Sequence, residues 1–222
     1  MVPGIGMRQA VFKTAINLST GLTNAFKFEG DCNDYVGATY ESYSAPAYNN
    51  AAGIHDYYAN FYSDTGVYAT FATVTGAFNS YNMSLSVWVR NNGNSPFIYN
   101  ANSSGNGFFI NLNTNLISVY VNTSGGLKYV SGTIADGQWS HIVVTMKTNG
   151  NLCLYINSTL VSSIPMATRI LATIAAIKLD LGGGSGSGSF WIDEWYMWNL
   201  ELEQAAVTDL YNAGSGKFHP GF

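Results

Sequence analysis

The stretch DGQWSHIVVTMKTNGNLCLYIN, Asp136 to Asn157, decides the fold. Within it Ile142, Val144 and Met146 fall on one face of an extended chain, and Leu152, Leu154 and Ile156 fall on one face of the next. Alternation with a period of two over short runs marks antiparallel strands with one face buried. Between the two runs lies Thr148-Asn149-Gly150-Asn151, where Asn-Gly accepts the positive φ angles of a tight turn. The stretch therefore predicts a β-hairpin.

The same pattern repeats outward. Met83, Leu85, Val87 and Val89 alternate with Ser84, Ser86, Trp88 and Arg90, and Ile177, Leu179 and Leu181 alternate likewise. In Phe190–Trp198, alternation puts Trp191 and Trp195 on one face and sends the adjacent carboxyls of Asp193 and Glu194 to opposite faces. Turn-rich clusters at 91–96, 102–107 and 124–126 separate such runs. Many short strands at this spacing predict an all-β, antiparallel two-sheet sandwich or jelly roll. One short helix is predicted at Glu203–Tyr211, with Leu202, Ala206, Val207 and Leu210 sharing a face and Gly214 as its stop. The run GGGSGSGS at 182–189 sits between two strand patterns and reads as a loop of one domain.

Composition agrees. A chain of 222 residues suits a single large β domain. Only 10% of residues are charged, while 24 glycines and 15 tyrosines favour turns and sheets. The net charge of −4 and the lack of a Lys/Arg cluster exclude a nucleic-acid surface. The longest apolar runs fall short of the roughly 20 residues that span a bilayer. Cys32 and Cys153 cannot define a disulfide framework, and Cys153 reads as a buried free thiol. Residues 1–20 lack the apolar core of a secretory signal and read as an N-terminal arm, leaving 21–222 as the sandwich domain. The sequons at Asn17, Asn82, Asn102, Asn122 and Asn157 then reflect turn composition.

Three segments together resemble laminin-G-like domains of the concanavalin A-like lectin/glucanase class. Asp136–Asn157 is similar to that family's central hairpin, Ser84–Arg90 to its "tiSfWvk" strand, and Ile192-Asp193-Glu194 with Leu202–Gly214 to its closing segment. The family's Asp-Gly turn is Asn157-Ser158 here, and Ala206 stands where its closing helix carries Glu. The resemblance implies a concanavalin A-like jelly roll that displays a binding surface. Its glucanase members carry a paired-carboxylate E-x-D-x-x-E strand suited to glycoside hydrolysis. No such motif occurs in this sequence, so the expected protein is not an enzyme.

Binding candidates come from the aromatic content. Tyr35, Tyr40, Tyr43, Tyr48, Tyr57, Tyr58, Tyr62 and Tyr68 crowd one stretch, and tyrosine both stacks and hydrogen-bonds. Tyr40, Tyr43, Tyr48, Tyr57, Tyr58 and Trp191 are the predicted ligand-binding residues. Many members of the resembled family hold calcium at a rim, which implies Asp31, Asp34 and Asp193 as candidate ligands of a structural calcium. His55, His141 and His219 lie far apart in sequence, at no metal-ligand spacing.

Phage structural proteins that resemble this family suggest the function. The expectation is a non-catalytic, virion-displayed structural or adhesion protein of a bacteriophage, in a decoration, fibre or receptor-binding role. It would bind host-surface glycans, with the arm docking on virion proteins or sister subunits. The alternative is a secreted or surface-attached bacterial lectin-like protein, located extracellularly.

Overall fold

The computed structural model describes residues 16–31, 33, 35–36, 39–42, 47–49, 53–62, 68–72, 80–92, 99–100, 108–170, 176–180 and 189–222. Its architecture is two antiparallel sheets and one short helix. The strands are β1 (Leu22–Phe26), β2 (Thr39–Ser42), β3 (Ala47–Asn49), β4 (Tyr58–Tyr62), β5 (Tyr68–Ala72), β6 (Met83–Asn92), β7 (Tyr99–Asn100) and β8 (Phe108–Asn113). They continue as β9 (Leu116–Thr123), β10 (Gly126–Thr133), β11 (Trp139–Met146), β12 (Asn151–Ile156), β13 (Thr159–Pro165), β14 (Ala176–Asp180) and β15 (Ser189–Trp198). The first sheet runs β13-β12-β11-β6-β15-β4-β3, with β1 added beside β15, and the second runs β10-β9-β8-β7-β14-β5-β2. This is the predicted concanavalin A-like sandwich.

The decisive hairpin forms as read. Ile142 pairs with Ile156, Val144 with Leu154 and Met146 with Leu152, and Asn149 takes a φ of 54° in the turn. At the other end of β12, Asn157 and Ser158 adopt φ of 50° and 63° without a glycine. The Asn157 side chain offsets part of that strain, because its Oδ1 accepts the His141 amide at 2.9 Å.

Between the sheets lies the main core. It takes the alternate residues Met83, Leu85, Val87 and Val89 of β6 together with Phe108, Ile110, Val119 and Val121 of the second sheet. Burying each such side chain is worth about 1.5–3 kcal/mol. At the side of the sandwich Gly132 lets β10 approach the first sheet, for a Cβ there would fall 2.8 Å from Ile156 Cδ1.

A second core lies on the outer face of the first sheet. Helix α1 (Gln204–Tyr211) lays Ala206, Val207 and Leu210 over Val143, Tyr155, Tyr196 and Trp198. Its left-handed cap is Asn212, at φ 47°, two residues before the predicted Gly214 stop. Leu18 joins this core fully buried, and the Trp198 indole N–H donates to the Leu18 carbonyl at 2.7 Å. Residues 16–20 of the predicted arm therefore pack on the sandwich, while 1–15 lie outside the described residues. Cys153 is the predicted buried free thiol, its Sγ 3.4 Å from Ser163 Oγ. Among the described residues no helix is long and apolar enough to cross a membrane.

The strand β15 departs from simple alternation. Its register against β6 shifts between Asp193 and Tyr196, and Glu194 takes a φ of 51°. This is a β-bulge: one extra residue lets two successive side chains share a side and reverses the alternation beyond it. Trp191 and Trp195 therefore do not share a face, contrary to the reading from sequence. Trp195 enters the core between the sheets, whereas Trp191 pairs across from Arg90 on the outer face.

Candidate functional site

On the outer face of the first sheet, beyond the second core, four side chains form an aromatic and cationic cluster. Three strands supply its core in one register row, with Trp191 of β15 opposite Arg90 of β6, and Arg90 opposite Trp139 of β11. Tyr58, on β4, stacks on Trp191 with ring centroids 4.2 Å apart. From the β6 side the Arg90 guanidinium lies over the same indole, its Cζ 4.3 Å from the ring centroid. Trp139 meets Tyr58 edge-on at 5.9 Å. Trp191, Trp139 and Arg90 are each partly exposed, whereas Tyr58 retains only 5% exposure and acts as their backing. A cation over an indole is held by the ring quadrupole, which fixes the plane of the guanidinium.

Two residues further along β15 lies a buried acid cluster. Asp193 Oδ2 accepts the amides of Ile54 at 2.9 Å and His55 at 3.2 Å. Glu194 approaches His55 Nδ1 at 3.6 Å, and Glu29 approaches the same nitrogen at 3.1 Å. The bulge is what gathers Asp193 and Glu194 at this one turn, correcting the expectation that their carboxyls point to opposite faces. Tyr196 donates its hydroxyl to Glu194, and the C-terminal segment closes the cluster, with the Phe218 ring tilted against His55 at 4.6 Å.

Both acids have 0% exposure. Burial first, and then the neighbouring Glu194, pushes the Asp193 carboxyl up to about 9. Burial raises Glu194 to about 8 against the opposing hydrogen bond from Tyr196. Asp193 Oδ1 and Glu194 Oε1 have no hydrogen-bond partner among the described residues. Glu29, His55 and Glu194 offer ligand atoms all within 4.8 Å of one another. The carboxylates of Glu29 and Glu194, brought together beside His55, fit a hard cation, and they are the residues that would hold one. The His55 nitrogen suits calcium poorly and would stand beside the ion.

Of the other predicted residues, Tyr57 touches the acid cluster through its backbone, and the rest lie apart from these groups or outside the described residues. Asp31 is occupied in its own turn, where Oδ1 accepts the Asn33 amide at 3.0 Å and Oδ2 accepts its side-chain nitrogen at 2.7 Å. Asp34 and Tyr43 lie outside the described residues. For Tyr40 and Tyr48 only the backbone is described, and they pair with Phe71 and Ala59. Tyr57 is 38% exposed, and its amide is held by Glu29 Oε2 at 3.1 Å.

Sequence reasoning missed Arg90 and Trp139 as site residues. It also missed a ladder on the second sheet, where Phe109, Tyr120 and Tyr129 sit directly opposite one another on β8, β9 and β10. Their rings stack at 4.3 and 5.6 Å. That arrangement stabilises the sheet more than it offers a flat platform. The turn clusters flanking these strands carried the signal, since they fix the register.

These features define a two-sheet lectin-type sandwich with a partly open aromatic surface on its first sheet. Residues 63–208 match the family of the concanavalin A-like lectin/glucanases superfamily, and the chain belongs to it. No curated protein matches the sequence. Among solved structures, the chain is similar to the binding domain of Paraclostridial Mosquitocidal Protein 1, with a TM-score of 0.77 and 15% identity over 88% of this chain and 52% of that one. Botulinum neurotoxin type C, whose cell entry depends on two ganglioside molecules, aligns with a TM-score of 0.72 and 15% identity over 87% of this chain and 51% of that one. The binding domain of botulinum neurotoxin DC in complex with SialylT gives a TM-score of 0.70 and 14% identity over 87% of this chain and 51% of that one. The chain thus spans about half the length of these structures, and identity at this level shows the shared fold alone.

Proposed function

We propose that this domain is a non-catalytic carbohydrate-binding module carried on the surface of a bacteriophage virion, in a decoration, fibre or receptor-binding role. The observation that supports it is the partly exposed Arg90–Trp191–Trp139 surface, since indole rings and planar donors on a rigid sheet suit sugar recognition. Solved neighbours engaged with a ganglioside and with SialylT point to the same ligand class. The complete burial of Asp193 and Glu194 favours binding without turnover, because a hydrolytic pair must reach its substrate.

The virion location rests on the resemblance to phage structural proteins, with the part of the predicted arm before residue 16 as the attachment segment. A secreted or surface-attached bacterial lectin is the second reading, favoured by the likeness to the toxin binding domains. The acid cluster serves in either case as a structural calcium site that ties the β1 end, the 54–55 turn and β15 together.

An array of host-surface glycans tests the binding reading: retention without release of reducing ends supports it, and failure to retain any glycan overturns it. Immunogold labelling of purified particles separates the two locations. Deletion of residues 1–15, which spares Ile16 and Leu18, should leave a folded domain that no longer joins particles.

A further inference from the structure

The strands that end the two sheets are not alike. The first sheet ends in β13 and β3, and the second in β10 and β2. An edge strand offers a row of unpaired amides and carbonyls, and folds blunt it by shortness, proline or a bulge. β3 and β2 are three and four residues long. In β13 the pairing steps from Tyr155–Leu160 to Leu154–Ser162, so Val161 is an extra, bulged residue, and Pro165 ends the strand. β10 has none of these devices. Its eight residues, GLKYVSGT, keep continuous register with β9 from Gly126 to Thr133.

That register also fixes which backbone groups point outward. The two-residue loop Ser124-Gly125 closes on Thr123–Gly126, which makes that pair, and every second pair after it, hydrogen-bonded. The same rhythm ends at Ile134, whose amide donates to the Asn115 carbonyl at 2.9 Å. The backbone groups of Leu127, Tyr129 and Ser131 therefore turn away from β9, toward the open edge. Their side chains lie on the outer face of the second sheet, opposite Asn122, Tyr120 and Ser118. Leu127 and Tyr129 are 54% and 57% exposed there. A straight edge flanked by large exposed apolar side chains is a template for another strand.

We infer that β10 pairs antiparallel with β10 of a second copy of this chain, Tyr129 meeting the partner's Tyr129 on the two-fold axis. Of the outward-facing residues, Tyr129 is the one about which most of the strand pairs, from Gly126 through Gly132. Leu127 falls opposite the partner's Ser131, and both turn their backbone groups to the edge, so the hydrogen bonds match. Lys128 falls opposite the partner's Val130, which keeps the two lysines from facing each other. Gly132, where a Cβ would fall 2.9 Å from Val161 Cγ2, meets the partner's Gly126, which brings no side chain. The ring ladder Phe109–Tyr120–Tyr129 continues into its copy across the axis. A single strand edge buries less than the roughly 1,200 Å² of a standard interface, so the dimer forms at high concentration. Residues opposite each other point to one side of a sheet, so the axis stands normal to it. The two Arg90–Trp191 surfaces, each on a first sheet, then face the same way.

The experiment is sedimentation velocity on the full chain across a concentration series, with no glycan present. The unaltered protein should move from monomer toward twice the monomer mass as concentration rises. Tyr129→Glu and Tyr129→Lys each set like charges against each other on the axis, and each alone should weaken association by about tenfold or more. Mixed in equal amounts, the two variants should associate again, because the axis then pairs opposite charges. Leu160→Glu, which places a charge on the exposed part of β13, should leave the dimer intact. Thermal melting confirms that each variant is folded, and the concentration series uses the unaltered protein.

A monomer at every concentration overturns the inference. So does undiminished association of either Tyr129 variant alone, or a mixture that stays monomeric. Loss of the dimer in Leu160→Glu also overturns it, by moving the contact to the other edge. The measurement involves no sugar, so its outcome is separate from that of the carbohydrate-binding reading.

Discussion

The outer face of the first sheet has two halves with opposite treatments. Around Val143, Tyr155, Tyr196 and Trp198 it is sealed by α1, Leu18 and Phe222. Around Arg90, Trp139 and Trp191 it stays partly open. Both halves are aromatic, so composition does not separate them. The difference is cover: one half carries a helix and chain segments over its indole and hydroxyl groups, and the other holds Arg90 between Trp191 and Asn92, partly exposed. An aromatic-rich sheet can thus serve as core or as recognition surface, depending on what the following segments lay across it.

The sharpest way to break this contrast is a pair of tryptophan truncations. Trp198→Ala should cost about 3–5 kcal/mol, because it opens a cavity and strips the Leu18 carbonyl of its donor. Trp191→Ala, on the open half, should cost well under that and should abolish glycan retention by releasing Arg90. Chemical denaturation with a binding assay reads both. Equal destabilisation by the two would mean that the halves do not differ.

The acid cluster lies at the seam between them. Its carboxyls are raised in the folded state, so with chelator present the stability they confer is fullest below the ordinary carboxylate range. It is lost as pH rises through about 8 and 9, on the order of 1 kcal/mol per pH unit for each carboxyl. Calcium should reverse the trend, raising the melting temperature most at high pH. Asp193→Asn should flatten both responses. A melting curve indifferent to calcium and chelator from pH 5 to pH 9 would remove the cation site.

His141 sharpens the comparison from the acid side. It lies buried beside Trp88, its Nε2 2.7 Å from Ser86 Oγ, and burial depresses it to about 3. The unfolded chain takes up the proton first as pH falls below the ordinary histidine value. Stability should therefore fall from about pH 6.5 downward, by about 1.4 kcal/mol per unit at most. His141→Gln should remove that slope.

The smallest effect belongs to Tyr211, which covers Trp88 with ring centroids 5.9 Å apart at the edge of the sealed half. Tyr211→Ala should cost about 1 kcal/mol and leave glycan retention intact. Loss of retention would extend the binding surface across the seam.

The sandwich was legible because β6, β11 and β12 alternate without interruption and Asn149-Gly150 announces its turn. The helix was legible because Ala206, Val207 and Leu210 share one face. The site was legible only in part. Tyr58 and Trp191 stood out as aromatics, but Arg90 looked like any exposed strand residue until pairing placed it over an indole. The bulge defeated alternation altogether: Glu194 at positive φ carries no glycine or asparagine to signal it, and the side chains from Trp195 to Trp198 all changed face with that one residue. Among the metal candidates, Asp31 hydrogen-bonds Asn33 in its own turn.

The position of β15 has a consequence for how the chain acquires its shape. This strand lies between β6 on one side and β1 and β4 on the other, joining Trp198 to Leu22 and Ser189 to Asn92. During synthesis, most of the sequence must emerge before the central ladder of the first sheet can close. Until then, β1, β4 and β6 present open edges with apolar faces, the condition that invites misassembly. Such distant pairing predicts folding on the millisecond-to-second scale rather than in microseconds. A nascent chain stalled before residue 189 should stay dependent on chaperones, while release of the last strand completes the sheet in one step.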